Sequence, residues 1–289
     1  MWPSCSEGLM LPNLVIIGAM KSATTSLHYY LSLHPQIDMS REKELDFFVA
    51  EQNWKRGLSW YQSQFTGDAP VHGESSTRYT HHPFLAGVPE RMHSVIPDAK
   101  LIYLLRDPVR RIISHWVHVY SSGVENRSFA EAVRNPRDNR YLAISKYYMQ
   151  LEQFLRYYPE TSILILTTEE LHQHRQATMQ RAFRFLGVDD TFSSPRFATF
   201  RQKSSYKRRK TRAGVLLSKV IGTSNTGLIR HLPPQIRGKV DKLLYLPVSR
   251  TIERPVLGPE LQAQLIQALR TDVNRLREHT GEKFEAWCV

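Results

Sequence analysis

LVIIGAMKSATTSLHYYL, residues 14–31, is the stretch on which the fold turns. Leu14 to Ile17 form a short apolar run rich in β-branched residues, the pattern of a strand buried on both faces. Gly18 permits a sharp turn at its end, because glycine has no Cβ to clash with the backbone. Lys21 follows, then Ser22, Ala23, Thr24, Thr25 and Ser26, after which Leu27, Tyr30 and Leu31 recur at the spacing of one helix face. A strand, a tight loop and a helix N-terminus in this order offer an anion unpaired N–H groups and the positive end of a helix dipole. The lysine and hydroxyls complete a cradle for a phosphate-like group. The order differs from the nucleotide-binding pattern G-x-x-x-x-G-K-[ST]: no glycine precedes Lys21, and only Ala19 and Met20 separate it from Gly18.

A second segment, AKLIYLLRDPVRRIISHW (residues 99–116), repeats the architecture. The run Leu101 to Leu105 reads as a buried strand, and Pro108 suits the first turn of a helix, where its missing N–H costs nothing. Arg106 then falls at the carboxyl end of a strand, the side on which open α/β sheets bind ligands. Ser114 lies about two helical turns further on and can face the same way. The alternative is local: Arg106 pairs with Asp107 or caps the strand, and Ser114 is incidental.

In this order the two segments resemble the donor site of the sulfotransferases. In that family a lysine and a threonine hydroxyl cluster hold the 5′-phosphosulfate of PAPS (3′-phosphoadenosine 5′-phosphosulfate). An arginine and a serine in the context R-D-P-x-x-R-x-x-S grip its 3′-phosphate. The resemblance implies that Lys21, Ser22, Ala23, Thr24, Thr25 and Ser26 form one side of a donor site and Arg106 and Ser114 the other. KELDFF, residues 43–48, resembles the K-E-x-x-F-F segment of the heparan sulfate sulfotransferases and their bacterial relatives, which implies Glu44 as catalytic base beside Lys21. GLSWYQSQF (57–65) and GESSTRY (73–79) resemble the next two segments of those enzymes, except that Ser75 stands where they carry a lysine. SKYYMQLEQFLRYYP (145–159) resembles the helix that supplies a tyrosine to the adenine pocket, implying Tyr147. LGVDDTF and KSSYKRRKT (203–211) resemble the end of the core and a basic loop that closes over the nucleotide, implying Lys207 and Arg208. Fold and chemistry follow from the resemblance: a P-loop-like, three-layer α/β/α fold with a central parallel sheet, using PAPS as sulfuryl donor and no metal. The acceptor is a hydroxyl or amine on a carbohydrate, glycolipid or small natural product. Glu44 has a bland alternative, pairing with Lys43 or Arg41 on a loop. His81 and His82 are the next candidates for the base, because cytosolic sulfotransferases use histidine.

Composition agrees with this reading. The chain has 289 residues, of which 41% are hydrophobic and 23% charged, ordinary values for a globular protein. Its length suits a single domain over 1–289. No run approaches the eighteen or so apolar residues of a membrane span, and the N-terminus lacks the signature of a secretory leader. A cytoplasmic protein without a transmembrane segment is the expectation, with peripheral membrane contact left open and oligomeric state undetermined. Cys5 and Cys288 sit near opposite ends and show neither a disulfide framework nor metal-ligand spacing. Asn126-Arg127-Ser128 reads as a surface turn. The net charge is +12, and between Ser193 and Val240 twelve Lys and Arg residues occur with no Asp or Glu, so one segment accounts for the whole excess. Such a segment is either a funnel for a polyanionic donor or a solvated surface loop. With only Tyr206 to stack on a base near the basic core, nucleic acid is not expected as a partner.

The remaining pattern alternates strands and helices. Strands are expected at 14–17, 71–76, 101–105 and 162–167, and helices at 24–33, 108–121, 128–134, 145–157, 174–186 and from Pro259 onward. That alternation implies a parallel sheet covered on both faces. A basic loop at 201–212 and a Gly- and Pro-rich insertion or lid at about 213–257 interrupt the pattern. Two other function classes share parts of it. A P-loop kinase or phosphotransferase requires Mg²⁺ ligands and a Walker-type loop, neither of which is identifiable. A non-catalytic nucleotide- or nucleic-acid-binding protein leaves Lys21 and Arg106 without a shared purpose.

Overall fold

The apolar runs around Gly18 and Arg106 become adjacent central strands. In the computed structural model, which describes residues 10–135, 139–199, 208–210 and 249–289, five strands form one sheet. They are β1 (Leu14–Gly18), β2 (Ile37–Met39), β3 (Val71–Ser75), β4 (Lys100–Leu105) and β5 (Ile163–Thr167), in the order β2-β3-β1-β4-β5. Every pairing is parallel: Val15 lies opposite Glu74 on one side and Leu101 on the other, and Tyr103 lies opposite Ile165. Because successive side chains point to opposite faces, each central strand feeds two cores. Val15, Ile17, Leu101, Tyr103 and Leu105 pack on one face, and Leu14, Ile16, Ile102 and Leu104 on the other.

Helices cover both faces. The first core is closed by α4 (Pro108–Ser121), α7 (Tyr147–Leu155) and α10 (Pro259–Thr280), the second by α1 (Thr24–Leu31) and α9 (Arg175–Leu186). Shorter helices complete the order: α2 (Leu58–Gln62) and α3 (Val88–Val95) before β4, α5 (Phe129–Val133) and α6 (Arg140–Ala143) before α7, and α8 (Thr168–Gln173) after β5. A two-stranded antiparallel ribbon, β6 (Arg208–Lys210) with β7 (Ser249–Thr251), contacts α4. Thus the expected three-layer fold with its parallel sheet is present. The sequence reading missed β2, whose three residues are too short for periodicity to register. Apart from 208–210 and 249–257, the basic loop and the insertion lie outside the described residues.

Chain direction sets where a ligand belongs. From β1 the chain runs outward to β2 and β3 on one side of the sheet, then crosses to β4 and β5 on the other. The loops after β1 and β4 therefore leave in opposite directions at a topological switch point, the usual crevice of an open α/β sheet. The β1–β4 register slips between Ile16 and Gly18, an irregularity that re-aims the chain as it enters the loop. Gly18 is fixed here by space: a Cβ would overlap Thr80 Oγ1 and lie 2.9 Å from Tyr103 Cε2. Gly18→Ala is expected to destabilise the protein by roughly 1–3 kcal/mol through overpacking, lowering Tm by several degrees. An unchanged melting curve would show that Thr80 and Tyr103 yield at no cost.

Candidate active site

The loop after β1 is built from strained backbone. Lys21 and Ala23 both take left-handed conformations, with φ of 74° and 63°, and Ala23 is the N-cap of α1. No side chain caps that helix, so its positive end is left for another acceptor. Met20, Lys21, Ala23, Thr24 and Thr25 line a cleft of about 1400 Å³. Ser22 and Ser26 turn away and are fully buried. Their backbone N–H groups donate to the carbonyls of Ala19 and Ala23, at 3.1 and 2.9 Å. The expectation is that backbone N–H groups of residues 22–26 hold the donor; those of Ser22 and Ser26 are engaged within the chain, one in the loop and one in the first turn of α1. Thr168 Oγ1 ties that loop to its neighbours, donating to the carbonyls of Ser22 (3.0 Å) and Leu105 (2.7 Å).

Arg106 enters the same cleft from the end of β4, and Ser114 lines it from α4. Asp107 does not pair with Arg106. Its Oδ1 accepts from the Arg110 N–H at 2.8 Å, capping α4, and its Oδ2 accepts from the Cys288 N–H at 2.7 Å. Arg106 is left to donate to the Lys21 carbonyl at 3.4 Å, which joins the two loops. Beside it, Arg106, Arg110 and Arg254 border a side pocket of about 240 Å³. Arg110 and Arg254 are close enough to act electrostatically on Arg106, which gives this side of the cleft a positive lining. Arg254, 148 residues beyond Arg106 in the chain, carries no local motif by which sequence reading could find it.

Tyr147 is placed differently from the expectation. It is fully buried, and its hydroxyl donates to the Arg106 carbonyl at 2.9 Å. Ring contacts with Tyr103 and Trp287 fill its surroundings, so it supports the arginine from behind rather than offering a face to adenine. Arg208 is also engaged elsewhere, donating to Ser249 Oγ, Thr251 Oγ1 and the Ser249 carbonyl at 2.8, 3.2 and 2.6 Å across the β6–β7 ribbon. Lys207 lies outside the described residues.

The segment after β2 brings the acidic groups. Glu44 and Asp46 take φ of 58° and 47°, and both line the cleft while Leu45 between them is buried. Four of the five left-handed non-glycine residues among those described, Lys21, Ala23, Glu44 and Asp46, therefore line one cavity. Such backbone costs on the order of 1–3 kcal/mol per residue, and it persists where surrounding contacts impose it, typically at functional sites. Glu44 Oε2 accepts from the Thr77 N–H (2.8 Å) and Oγ1 (3.1 Å), which fixes the carboxylate and leaves Oε1 3.6 Å from Lys43 Nζ. Lys43 Nζ in turn donates to both Thr24 Oγ1 and Thr25 Oγ1 at 3.2 Å. Asp46 pairs with Arg78 at 3.2 Å, and burial, opposed by that arginine, pushes its pKa up to about 7. Below them Glu74 is sealed in, accepting from Tyr61, Tyr79 and Ser76 hydroxyls at 2.7, 2.8 and 2.6 Å. Ser75 bonds to His28 Nδ1 at 2.9 Å.

His81 also lines the cleft, yet neither ring nitrogen has a hydrogen-bond partner among the described residues. Burial, reinforced by the charges of Arg111, Arg140 and Arg78, lowers its pKa from 6.5 to about 3. His81 is only 4% exposed, whereas the Glu44 side chain is 40% exposed in the cleft, which favours Glu44 for taking a proton from an acceptor. His82 is clamped by its backbone, donating to Gln150 Oε1 and accepting from Nε2, both at 2.8 Å. The buried imidazole has a consequence for stability. Unfolded His81 binds a proton below about 6.5, whereas the folded form does so only near 3; stability present above pH 6.5 is lost as the pH falls through that window. His81→Asn should flatten the acid limb of the Tm–pH curve between these values. An unaltered limb would assign the acid sensitivity to other groups, His28 first among them, since its pKa is lowered to about 4, chiefly by burial and further by Lys43.

A sulfotransferase domain model matches residues 11–232. The chain belongs to the sulfotransferase domain family. Among its relatives are the human bifunctional heparan sulfate N-deacetylase/N-sulfotransferase 2, 30% identical over 200 residues, and the human heparan sulfate glucosamine 3-O-sulfotransferase 6, 31% identical over 194. These alignments cover 62% and 64% of this chain, but only 22% and 55% of the two relatives. A sulfotransferase from Alicyclobacillus acidocaldarius shares the fold, with a TM-score of 0.69 at 23% identity over 96% of this chain and 99% of that one. Within this sulfotransferase domain, the motifs around Lys21, Glu44 and Arg106 converge on one cleft. The contributions of Lys43, Arg110, Arg254 and Thr168 become apparent only in three dimensions.

Proposed function

We propose that this chain transfers the sulfuryl group of PAPS to a hydroxyl or amine of a carbohydrate acceptor. The observation that carries this reading is the meeting of the Lys21 loop, Arg106 and the anchored Glu44 carboxylate in one cleft at the switch point of the sheet. The donor's 5′-phosphosulfate fits the uncapped end of α1 with Lys21, Thr24 and Thr25, and its 3′-phosphate fits Arg106, Arg110, Arg254 and Ser114. As the bond from sulfur to the bridging oxygen breaks, negative charge grows on that oxygen, and the Lys21 ammonium stabilises it more in the transition state than in the ground state. Glu44, held by Thr77, takes the proton that leaves the acceptor as its new bond to sulfur forms. Adenosine 3′,5′-bisphosphate (PAP) is the other product. Fixed lysines and arginines supply the charge stabilisation, so the scheme requires no metal. The relatives' names point to a sugar acceptor, which is the basis for the carbohydrate assignment.

The test is incubation with ³⁵S-labelled PAPS and separated polysaccharide, glycolipid and small-molecule fractions of a cell extract, followed by mass spectrometry of the labelled product. A sulfated sugar with release of an equal amount of PAP is expected. Label confined to non-carbohydrate products would refute the acceptor class.

A further inference from the structure

Lys43 lines the cleft with its side chain 19% exposed, and its ammonium is poorly compensated. Desolvation lowers its pKa, and the nearby Glu44 carboxylate only partly offsets this. Its partners among the described residues are two neutral hydroxyls, Thr24 Oγ1 and Thr25 Oγ1, and one carboxylate oxygen at 3.6 Å, on a carboxylate that Thr77 already orients through its other oxygen. A partly desolvated charge satisfied in this way attracts a further anion, since each hydroxyl contributes only a dipole where an anion contributes a full charge. The ammonium stands between the hydroxyls of the donor loop and the carboxylate that removes the acceptor's proton. A group passing from one to the other must pass beside it.

We propose that Lys43 is a second catalytic cation, whose Nζ contacts the non-bridging oxygens of the sulfuryl group during transfer while Lys21 attends the bridging oxygen. This rests on the reading of the cleft as a PAPS site. The step balances without a co-reactant: the bond from sulfur to the phosphate oxygen breaks, a bond from sulfur to the acceptor forms, the acceptor's proton passes to Glu44, and PAP leaves with the bonding pair. Lys43 keeps its protons throughout. Its hydrogen bonds to Thr24 and Thr25 hold the ammonium over the transfer path before the donor arrives, so little reorganisation is needed on binding. Lys43 also acts electrostatically on His28, whose Nδ1 bonds to the fully buried Ser75 at 2.9 Å, so its charge is felt on the floor of the cleft.

PAP and PAPS separate the roles, because PAP has both phosphates and lacks the sulfuryl group. Calorimetric titration without acceptor should show Lys43→Ala binding PAPS about tenfold more weakly than wild type, with PAP affinity unchanged within twofold. Retained PAP binding also reports a folded donor site. Lys43→Arg should keep most of the PAPS affinity. Equal losses for both ligands would make Lys43 a brace of the donor loop, and unchanged PAPS affinity would remove it from the sulfuryl site; either result overturns the proposal while leaving the donor reading intact. Wild-type protein that binds neither ligand would overturn both.

Discussion

Glu44→Gln should lower kcat by on the order of 10²–10⁴ with donor affinity nearly unchanged. Glutamine preserves the shape of the side chain and can still accept the hydrogen bonds from Thr77, so the loop keeps its left-handed turn. What is lost is a basic oxygen for the acceptor's proton. Single-turnover measurements with bound PAPS and the acceptor found by labelling isolate the chemical step, and PAP titration confirms the donor site. If Glu44→Gln transfers at close to the wild-type rate, the proton goes elsewhere. Asp46 is then the next candidate, because it lines the same cleft and burial raises its pKa to about 7.

Arg106→Ala should weaken PAP binding by roughly 10- to 150-fold, the effect of losing a charge-assisted contact of about 1.5–3 kcal/mol. Adenosine 5′-phosphosulfate, which lacks the 3′-phosphate, should be affected far less. The contrast matters because Arg106 also has a structural bond, from its Nη1 to the Lys21 carbonyl. Damage through that bond would reach the 5′ side of the cradle and weaken both ligands alike. Equal losses would therefore show that Arg106 shapes the loop rather than reading the phosphate.

The fold was legible because its decisive signals are local. Runs such as Leu14–Ile17 and Leu101–Leu105 need both faces covered, and the residues that end them, Gly18 and Arg106 with Pro108, mark the turns. Lys21, Glu44 and Arg106 were legible for a related reason: each stands next to a strand end or within a short motif, so its place in the fold follows from its place in the chain. Resemblance supplied their roles. Tyr147 shows the limit of that transfer. A tyrosine at the matching position turned inward to the Arg106 carbonyl, and nothing in a linear pattern distinguishes a ring facing a cleft from one buried beneath it. Ser22 and Ser26 are buried for a related reason, one turned inward between the left-handed Lys21 and Ala23 and the other on the core face of α1. Lys43 was visible beside Glu44 in its motif, but its bonds to Thr24 and Thr25, and the place of Arg254 beside Arg106 and Arg110, depend on how the chain folds.

The most direct test of the central claim compares PAP with ATP in the presence of Mg²⁺ by titration calorimetry on the wild-type protein. A site built on Lys21, Thr24 and Thr25 at one end and on Arg106, Arg110, Arg254 and Ser114 at the other should bind PAP well and ATP weakly, because only PAP carries the 3′-phosphate that the arginines address. Preference for ATP with Mg²⁺ would contradict the account and make the cleft a phosphotransferase site.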